Sequence, residues 1–144
     1  MIQYSPHLSI GDSTALFNVL SGTYETHTID SVIDVSPTTF SNKWHKDKNV
    51  SLKKVSTHLD SITKAKLMVI LDYLSTNHKQ HKHVMISSNK GNDVPLNVLI
   101  AFLALRKNKT MIDAANTVCD LDGSFVPDQE FIKTITKYKE AINV

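Results

Sequence analysis

The stretch from His83 to Leu105 contains the residues of this chain whose types and spacing best suit a chemical site. A short apolar run typical of a buried strand is followed by a polar loop at Ser87 to Val94, and then by an apolar helix that Pro95 opens. Such a loop can bind an anion, because its amides and the unpaired first-turn N–H groups of the helix point at one spot. An ordinary βα turn, in which Gly91 supplies a positive φ, explains the same residues. The pattern leaves a phosphate site and a plain turn as alternatives.

A second group of residues suited to chemistry is the sequence HKQHKH, which contains His78, His81 and His83. Their spacing would suit a metal ion, but no cysteine or carboxylate that could complete a zinc site is adjacent. We therefore predict a solvated basic turn at the end of the sheet opposite the loop, and neither a metal nor another cofactor. The single cysteine, Cys119, falls on an apolar helix face, where packing explains it better than nucleophilic use.

The elements that must position the loop follow from hydrophobic periodicity and turn residues. Strands are predicted at 7–10, 29–35, 50–55 and 84–86. Helices are predicted at 13–20, 60–74 and 95–107, after Thr110, and after Pro127. Ser13 and either Asp60 or Ser61 are the predicted caps of the first two helices. This order, with short connections, predicts an α/β sheet with helices on both sides.

Composition sets bounds on the class of protein. The chain has 144 residues, and we expect residues 1–144 to form one domain. Its apolar content of 41% and charged content of 21% are ordinary for a globular chain, and a net charge of +2 is too small to imply nucleic acid or a membrane as partner. One cysteine excludes an internal disulfide and fits a reducing compartment. The N-terminal residues resemble no secretory signal, so we expect a cytoplasmic protein (host cytoplasm if viral) or a nuclear one.

Taken together, these segments resemble the dual-specificity protein phosphatases, particularly the small poxvirus-type enzymes. In that family a strand ends in His-Cys, a five-residue loop with a central glycine follows, and Arg-Ser or Arg-Thr opens a helix. Placing Gly91 on the central glycine puts Ser87 at the histidine and Ser88 at the nucleophilic cysteine. The same register puts Val94 at the phosphate-binding arginine and Pro95 at the hydroxyl residue. The segments YSPHLSIGDSTALFN, VIDVS and LDGSFVPDQEFIKTITKYKEAI are similar to the family's opening, next strand and closing helix.

The resemblance implies the family fold, a mostly parallel sheet of about four to five strands flanked by helices. It also implies that the catalytic groups are replaced. A serine hydroxyl is a far poorer nucleophile than a thiolate, and Val94 cannot form the bidentate clamp that an arginine makes with a dianion. The family's general-acid loop would fall in LKKVSTHLD, where the aligned residues are Lys53, Lys54 or Val55. The degenerate signature loop consists of Ser87, Ser88, Asn89, Lys90, Gly91, Asn92, Asp93, Val94 and Pro95.

We therefore interpret the chain as a catalytically inactive pseudophosphatase that binds a protein, with phosphoproteins among the candidate partners. By resemblance to the poxvirus-type enzymes, a homodimer is also expected. Tyr4, Phe40 and Trp44 are predicted loop aromatics that would anchor a partner, pack within the loops or contribute to the core. Two alternatives stay open: a phosphate or phospholigand reader that uses Lys90, Lys53 and Lys54, and a phosphohydrolase with altered chemistry at loop 88–94.

Overall fold

The computed structural model describes residues 1–22, 29–38, 45–47 and 49–142, and it contains a five-stranded sheet with helices on both faces. The strands are β1 Ile2–Ser5, β2 Leu8–Gly11, β3 Ser31–Asp34, β4 Ser51–Lys54 and β5 Val84–Ser87. The helices are α1 Ser13–Ser21, α2 Lys64–Lys79, α3 Asp93–Arg106, α4 Met111–Leu121 and α5 Gln129–Ile142. The predicted α/β fold is confirmed.

The strands lie in the order β1-β2-β5-β3-β4, and all neighbouring pairs are parallel except β1 and β2, which are antiparallel. β1 has no counterpart among the predicted strands, because it is a four-residue edge strand that ends next to Pro6. The register aligns Gly11, Ser87, Asp34 and Lys54, the last residues of β2, β5, β3 and β4, in one row. The polar loop after β5 therefore lies at the carboxyl edge of the sheet.

Two apolar clusters hold the helices to the sheet, one on each face, because successive side chains of a strand point to opposite sides. On one face α1 packs against Val32 and Met85. On the other face the larger cluster contains residues of α2, α3, α4 and α5, packed over strand residues such as Ile33 and Ile86. α3 is buried from Pro95 to Ala104, as its apolar sequence predicts.

Two of the predicted helix caps were wrong. Asp12 caps α1 by accepting a hydrogen bond from the Ala15 N–H at 3.0 Å, whereas Ser13 is the first helical residue. Both are favourable cap residues, so the sequence pattern does not separate them. Thr63 caps α2, because its extended backbone lets Oγ1 accept from the Lys66 N–H at 3.2 Å, and residues 60–62 lie outside the helix.

The ends of two helices also differ from the prediction. α3 begins at Asp93, two residues before Pro95, because a proline is tolerated throughout a first turn whose N–H groups are unpaired. α2 continues past 74 to Lys79, because the polar residue Asn77 is buried and hydrogen-bonded there. Thr110 caps α4 as predicted. Among the described residues, no helix is long and apolar enough to cross a membrane.

The predicted loop aromatics are only partly accounted for. Tyr4 lies in β1, where it is partly buried and packs against the larger apolar cluster. Phe40 and Trp44 lie outside the described residues.

Candidate functional site

The loop between β5 and α3 is held to the sheet through its first residues. Ser88 is fully buried, and its N–H donates to the Gly11 carbonyl at 3.3 Å. The Ser87 carbonyl accepts from the Val35 N–H at 2.8 Å. The loop thus starts between the ends of β2 and β3, and its position depends on both strands.

Two loop amides donate to hydroxyl groups of the same chain. The Asn89 N–H donates to Ser36 Oγ at 2.8 Å, and the Lys90 N–H donates to Ser88 Oγ at 3.1 Å. An anion cradle depends on such amides being available to a ligand. Internal hydroxyl acceptors therefore already occupy part of the donor capacity that a phosphate would need.

Other donors of the loop are not used in this way. Within the described part of the chain, no acceptor is found for the N–H groups of Gly91, Asn92, Asp93 and Val94, and the first hydrogen bond of α3 runs from the Leu96 N–H to the Asn92 carbonyl at 2.9 Å. These are the orphan donors of a helix start. Gly91 has φ 98° and open space around it, so the loop turns outward here.

The remaining polar groups of the loop have mixed character toward an anion. Ser87 Oγ, Asn89 Oδ1 and Asn92 Oδ1 are buried and have no hydrogen-bond partner in the described structure. Asp93 adds a carboxylate in the first turn of α3. The two amide oxygens and the carboxylate only accept hydrogen bonds, whereas the Ser87 hydroxyl can also donate one. The loop therefore offers an anion one hydroxyl donor and the exposed Lys90, against one carboxylate and two acceptor oxygens.

A buried carboxylate supports the loop from β3. Asp34 Oδ1 accepts from the Ser36 N–H at 3.0 Å and from the Ser36 hydroxyl at 2.5 Å, so that Ser36 Oγ faces the Asn89 amide. Burial raises the pKa of Asp34, although its hydrogen bonds with Ser36 and the charge of Lys54 act in the opposite direction. The sequence VIDVS predicts only a strand, since nothing in it signals a contact with a loop about 50 residues later.

Replacing Asp34 by Asn is expected to change how the free energy of unfolding depends on pH. A carboxyl group whose folded pKa is raised stabilises the folded state below its unfolded pKa, and this contribution is lost as pH rises through the folded pKa. Relative to Asp34→Asn, the natural protein should lose stability as pH increases from about 3.8, the ordinary pKa of an aspartate side chain. Urea denaturation of both proteins at several pH values measures this difference. A difference that stays constant or moves the opposite way would contradict the raised pKa.

The start of α3 is fixed by a second polar bridge. Asn97 is buried, its Nδ2 donates to the Asp93 carbonyl at 2.8 Å, and its Oδ1 accepts from the Asp128 N–H at 3.0 Å. This side chain connects the first turn of α3 to the segment that opens α5. Asn97 was not among the predicted site residues, because an isolated Asn in an apolar helix carries no recognisable spacing signal. Val94 is partly buried against the larger apolar cluster, and Pro95 is fully enclosed.

The structure does not bring all three predicted anion-binding lysines to the loop. Lys90 lies in the loop and is exposed, and Lys54 lies close enough to Asp34 to lower the pKa of that carboxyl group. Lys53 instead lines a cavity with Ser31 and Ser51, the first residues of β3 and β4. The other lining residues include Val69 and Tyr73, so the Lys53 side chain is directed toward α2 and not toward the loop.

The segment of residues 50–59, which the resemblance aligns with a general-acid loop, has no carboxylate. Ser56 Oγ donates to the Pro37 carbonyl at 2.6 Å, and Lys66 Nζ donates to the Ser56 carbonyl at 3.0 Å, so the segment is held to the neighbouring loop and helix. Asp60 is exposed and outside the helix. Besides its two lysines, the segment has one titratable side chain, the exposed His58.

The histidine-rich turn differs from its prediction at one residue. His83 is buried, its ring lies 2.7 Å from Ser9 Oγ, and its N–H donates to Asp30 at 2.8 Å, so it is not solvated. His78 and His81 are exposed, as predicted. In the described part of the chain, no group of three or more His, Cys, Asp or Glu residues is placed to hold a metal ion.

Three solved structures with a similar fold are distant from this chain in sequence. Human DUSP28 matches with a TM-score of 0.80 and 16% identity over 99% of this chain and 98% of its own. A human tyrosine phosphatase-like serine/threonine/tyrosine-interacting protein matches with a TM-score of 0.76 and 12% identity over 100% of this chain and 98% of its own. The tyrosine phosphatase OH1 of Orf virus matches with a TM-score of 0.74 and 15% identity over 96% of this chain and 85% of its own.

Comparison of the sequence alone identifies no similar protein. No protein-family model matches the chain, and no curated protein matches it. Identities of 12–16% establish a common architecture, but a common fold does not imply a common chemistry. The chain has the fold of the dual-specificity phosphatases.

Proposed function

We propose that this protein is a catalytically inactive, dual-specificity-phosphatase-like domain that acts by binding a protein partner. The observation that carries the proposal is the environment of Ser88. Its hydroxyl accepts a hydrogen bond from the Lys90 N–H, and no His, Asp or Glu side chain of the described residues is bonded to it as a base. A serine without a base is a weak nucleophile. Val94, partly buried against the larger apolar cluster, supplies no charge for a transferring phosphoryl group.

A binding role is supported by what the loop retains. The βα loop is anchored to two strands and bridged to α5, so its rim is a defined surface even without catalytic groups. One of the structural neighbours is itself named a phosphatase-like interacting protein. We propose a protein as the partner, with phosphoproteins included. A second copy of this chain, forming a homodimer, is another candidate partner.

The expected result of an activity assay is no turnover. The purified protein is tested with a small aryl phosphate and with phosphotyrosine peptides between about pH 5 and 8, the range in which a catalytic thiolate and general acid would work. Ser88→Ala provides the matched control for any background. Turnover that disappears in Ser88→Ala would overturn the inactive assignment and support a phosphohydrolase that uses the serine.

A phosphate reader is the second candidate, and the unpaired N–H groups of residues 91–94 favour it. Two features disfavour phosphate binding. The Asn89 and Lys90 N–H groups already donate to internal hydroxyl groups, and the oxygens of Asn92 and Asp93 belong to the same loop. We expect no rise in melting temperature with millimolar phosphate. A ligand at 100 times its dissociation constant would add about 2.7 kcal/mol to the free energy of unfolding, which a melting scan detects. A rise that Lys90→Ala abolishes would instead identify the loop as an anion site.

A further inference from the structure

A cavity of about 250 Å³ lies at the end of the molecule opposite the loop. It is formed where β1 and β2 meet the C-terminal ends of α2 and α3. Leu8, Phe102 and Leu103 contribute apolar walls, and Tyr4 contributes an aromatic side. His78, Lys107 and Lys109 add positive or protonatable groups. The cavity thus combines an apolar interior with cationic groups.

The charges around this cavity are not balanced by carboxylates. None of its lining residues is acidic. Asp72, the acidic residue of α2, is engaged by Arg106 at 2.8 Å. Lys107 Nζ lies 5.6 Å from the centre of the Phe102 ring, so a cation stands directly over an apolar wall. A ligand with an apolar group and adjacent negative charge would complement both features.

The cationic groups are held by two turns with left-handed residues. Asn108, with φ 55°, follows α3, where the Lys107 and Lys109 N–H groups both donate to the Leu103 carbonyl. His81, with φ 57°, follows α2. The ring of His81 lies 6.2 Å from that of His7 in the β1–β2 connection. Lys139 of α5 donates to the carbonyl groups of Ala104 and Lys109, which fixes the α3–α4 turn.

We propose that this cavity binds an acidic peptide segment of a partner protein through one large apolar side chain. The volume is below the roughly 300–1,000 Å³ of pockets that enclose a drug-sized ligand, so it suits one inserted side chain better than a whole lipid or nucleotide. The surrounding lysines and histidines would contact acidic residues on either side of that anchor. This inference deepens the proposed function, because it names the chemistry of the partner, but it does not depend on the loop after β5.

The histidines give this binding a pH dependence that a fixed cationic patch would lack. Partial burial, together with the charges of Lys107, His7 and His81, lowers the pKa of His78. Carboxylates of a bound peptide would raise that pKa again, because they stabilise the protonated ring. Binding would then be coupled to proton uptake, and affinity would increase as pH falls through the titration range of His78.

The test uses the full chain and fluorescein-labelled peptides in which one Phe is flanked by several Glu residues. Fluorescence anisotropy should show binding that is weaker by about tenfold or more for Lys107→Glu, because a reversed charge then faces the peptide. Lys64→Glu is the matched control, since Lys64 is exposed at the other end of α2. Replacing the Phe of the peptide by Ala should weaken binding to a similar extent.

Measuring peptide affinity at several pH values distinguishes the contribution of the histidines from that of the lysines. Affinity should rise between about pH 7.5 and 6, and His78→Gln should reduce that gain by about half or more, because His78 is the histidine that lines the cavity. His58→Gln, at an exposed histidine outside this cavity, should keep the full gain.

Four outcomes would overturn the proposal: no binding of any peptide, equal binding by the natural protein and Lys107→Glu, binding that ignores the Phe, or preference for anionic vesicles over peptides. Peptide binding is measured independently of aryl phosphate turnover. A failure to bind peptides would therefore not affect the proposal that the protein is catalytically inactive, which the activity assay tests.

Discussion

Gly11→Val is expected to lower the free energy of unfolding by about 3 kcal/mol, the cost of forcing extra volume into a packed core. A Cβ atom at Gly11 would lie 2.4 Å from Sδ and 3.1 Å from Cε of Met85, and 3.1 Å from Cβ of Ala15. Met85 is fully buried in the cluster under α1, so it cannot move without disturbing that packing. The Gly11 carbonyl also accepts from the Ser88 N–H, so the strain reaches the candidate site.

Two other glycines provide controls that separate crowding from backbone conformation. Gly123→Ala should change stability little, because no atom lies within 4 Å of the added Cβ and φ is not positive there. Gly91→Ala meets no atom either, but its φ of 98° makes it strained for any L-residue, so a cost of about 1–3 kcal/mol is expected. Urea denaturation measures all three variants. A Gly11→Val protein as stable as Gly123→Ala would contradict the crowding at Met85.

Much of the fold could be predicted from the sequence because its elements carry strong local signals. The buried strand at β5 and the almost uniformly apolar α3 contain few polar residues, so their type follows from composition and length. Helix starts were less predictable, because neighbouring residues such as Asp12 and Ser13 have similar capping preferences. Only the backbone conformation decides between them. The edge strand β1 is too short and mixed to be recognised without its partner.

The candidate site was predictable only as a segment of chain. The loop from residue 87 to 95 was located from its strand, glycine and proline, but the contacts that define its chemistry come from distant residues. Ser36 reaches Asn89 across 53 positions, and Asn97 reaches Asp128 across 31. Neither contact produces a periodic pattern in the sequence, because a single polar contact can form between any two elements that the fold brings together. The separation of Lys53 from Lys54 is different, because successive side chains of a strand point to opposite faces and the predicted strand at 50–55 already implied it.

Restoring the thiol alone is expected to leave the protein without measurable phosphatase activity. The Ser88→Cys protein still lacks a guanidinium at Val94 and a carboxylic acid in residues 50–59 that could protonate the leaving group. One preorganised charge donor is worth about 10²–10³ in rate, and a general acid about 10²–10⁴. The combined deficit is therefore about 10⁴-fold or more. Aryl phosphate hydrolysis by Ser88→Cys and Ser88→Ala, measured side by side, tests this expectation.

The environment of the loop would stabilise the reactive form of the sulfur only in part. A helix start lowers the pKa of a cysteine when its N–H groups face the thiolate. Here the Lys90 N–H, which donates to Ser88 Oγ, would serve a thiolate, whereas the Asn89 N–H is already engaged by Ser36. Activity in Ser88→Cys above that of Ser88→Ala would mean that another cation serves the loop. Lys90 is the cation within the loop. Loss of that activity in Ser88→Cys/Lys90→Ala would identify Lys90 as the source of the charge and would show that the loop binds an anion.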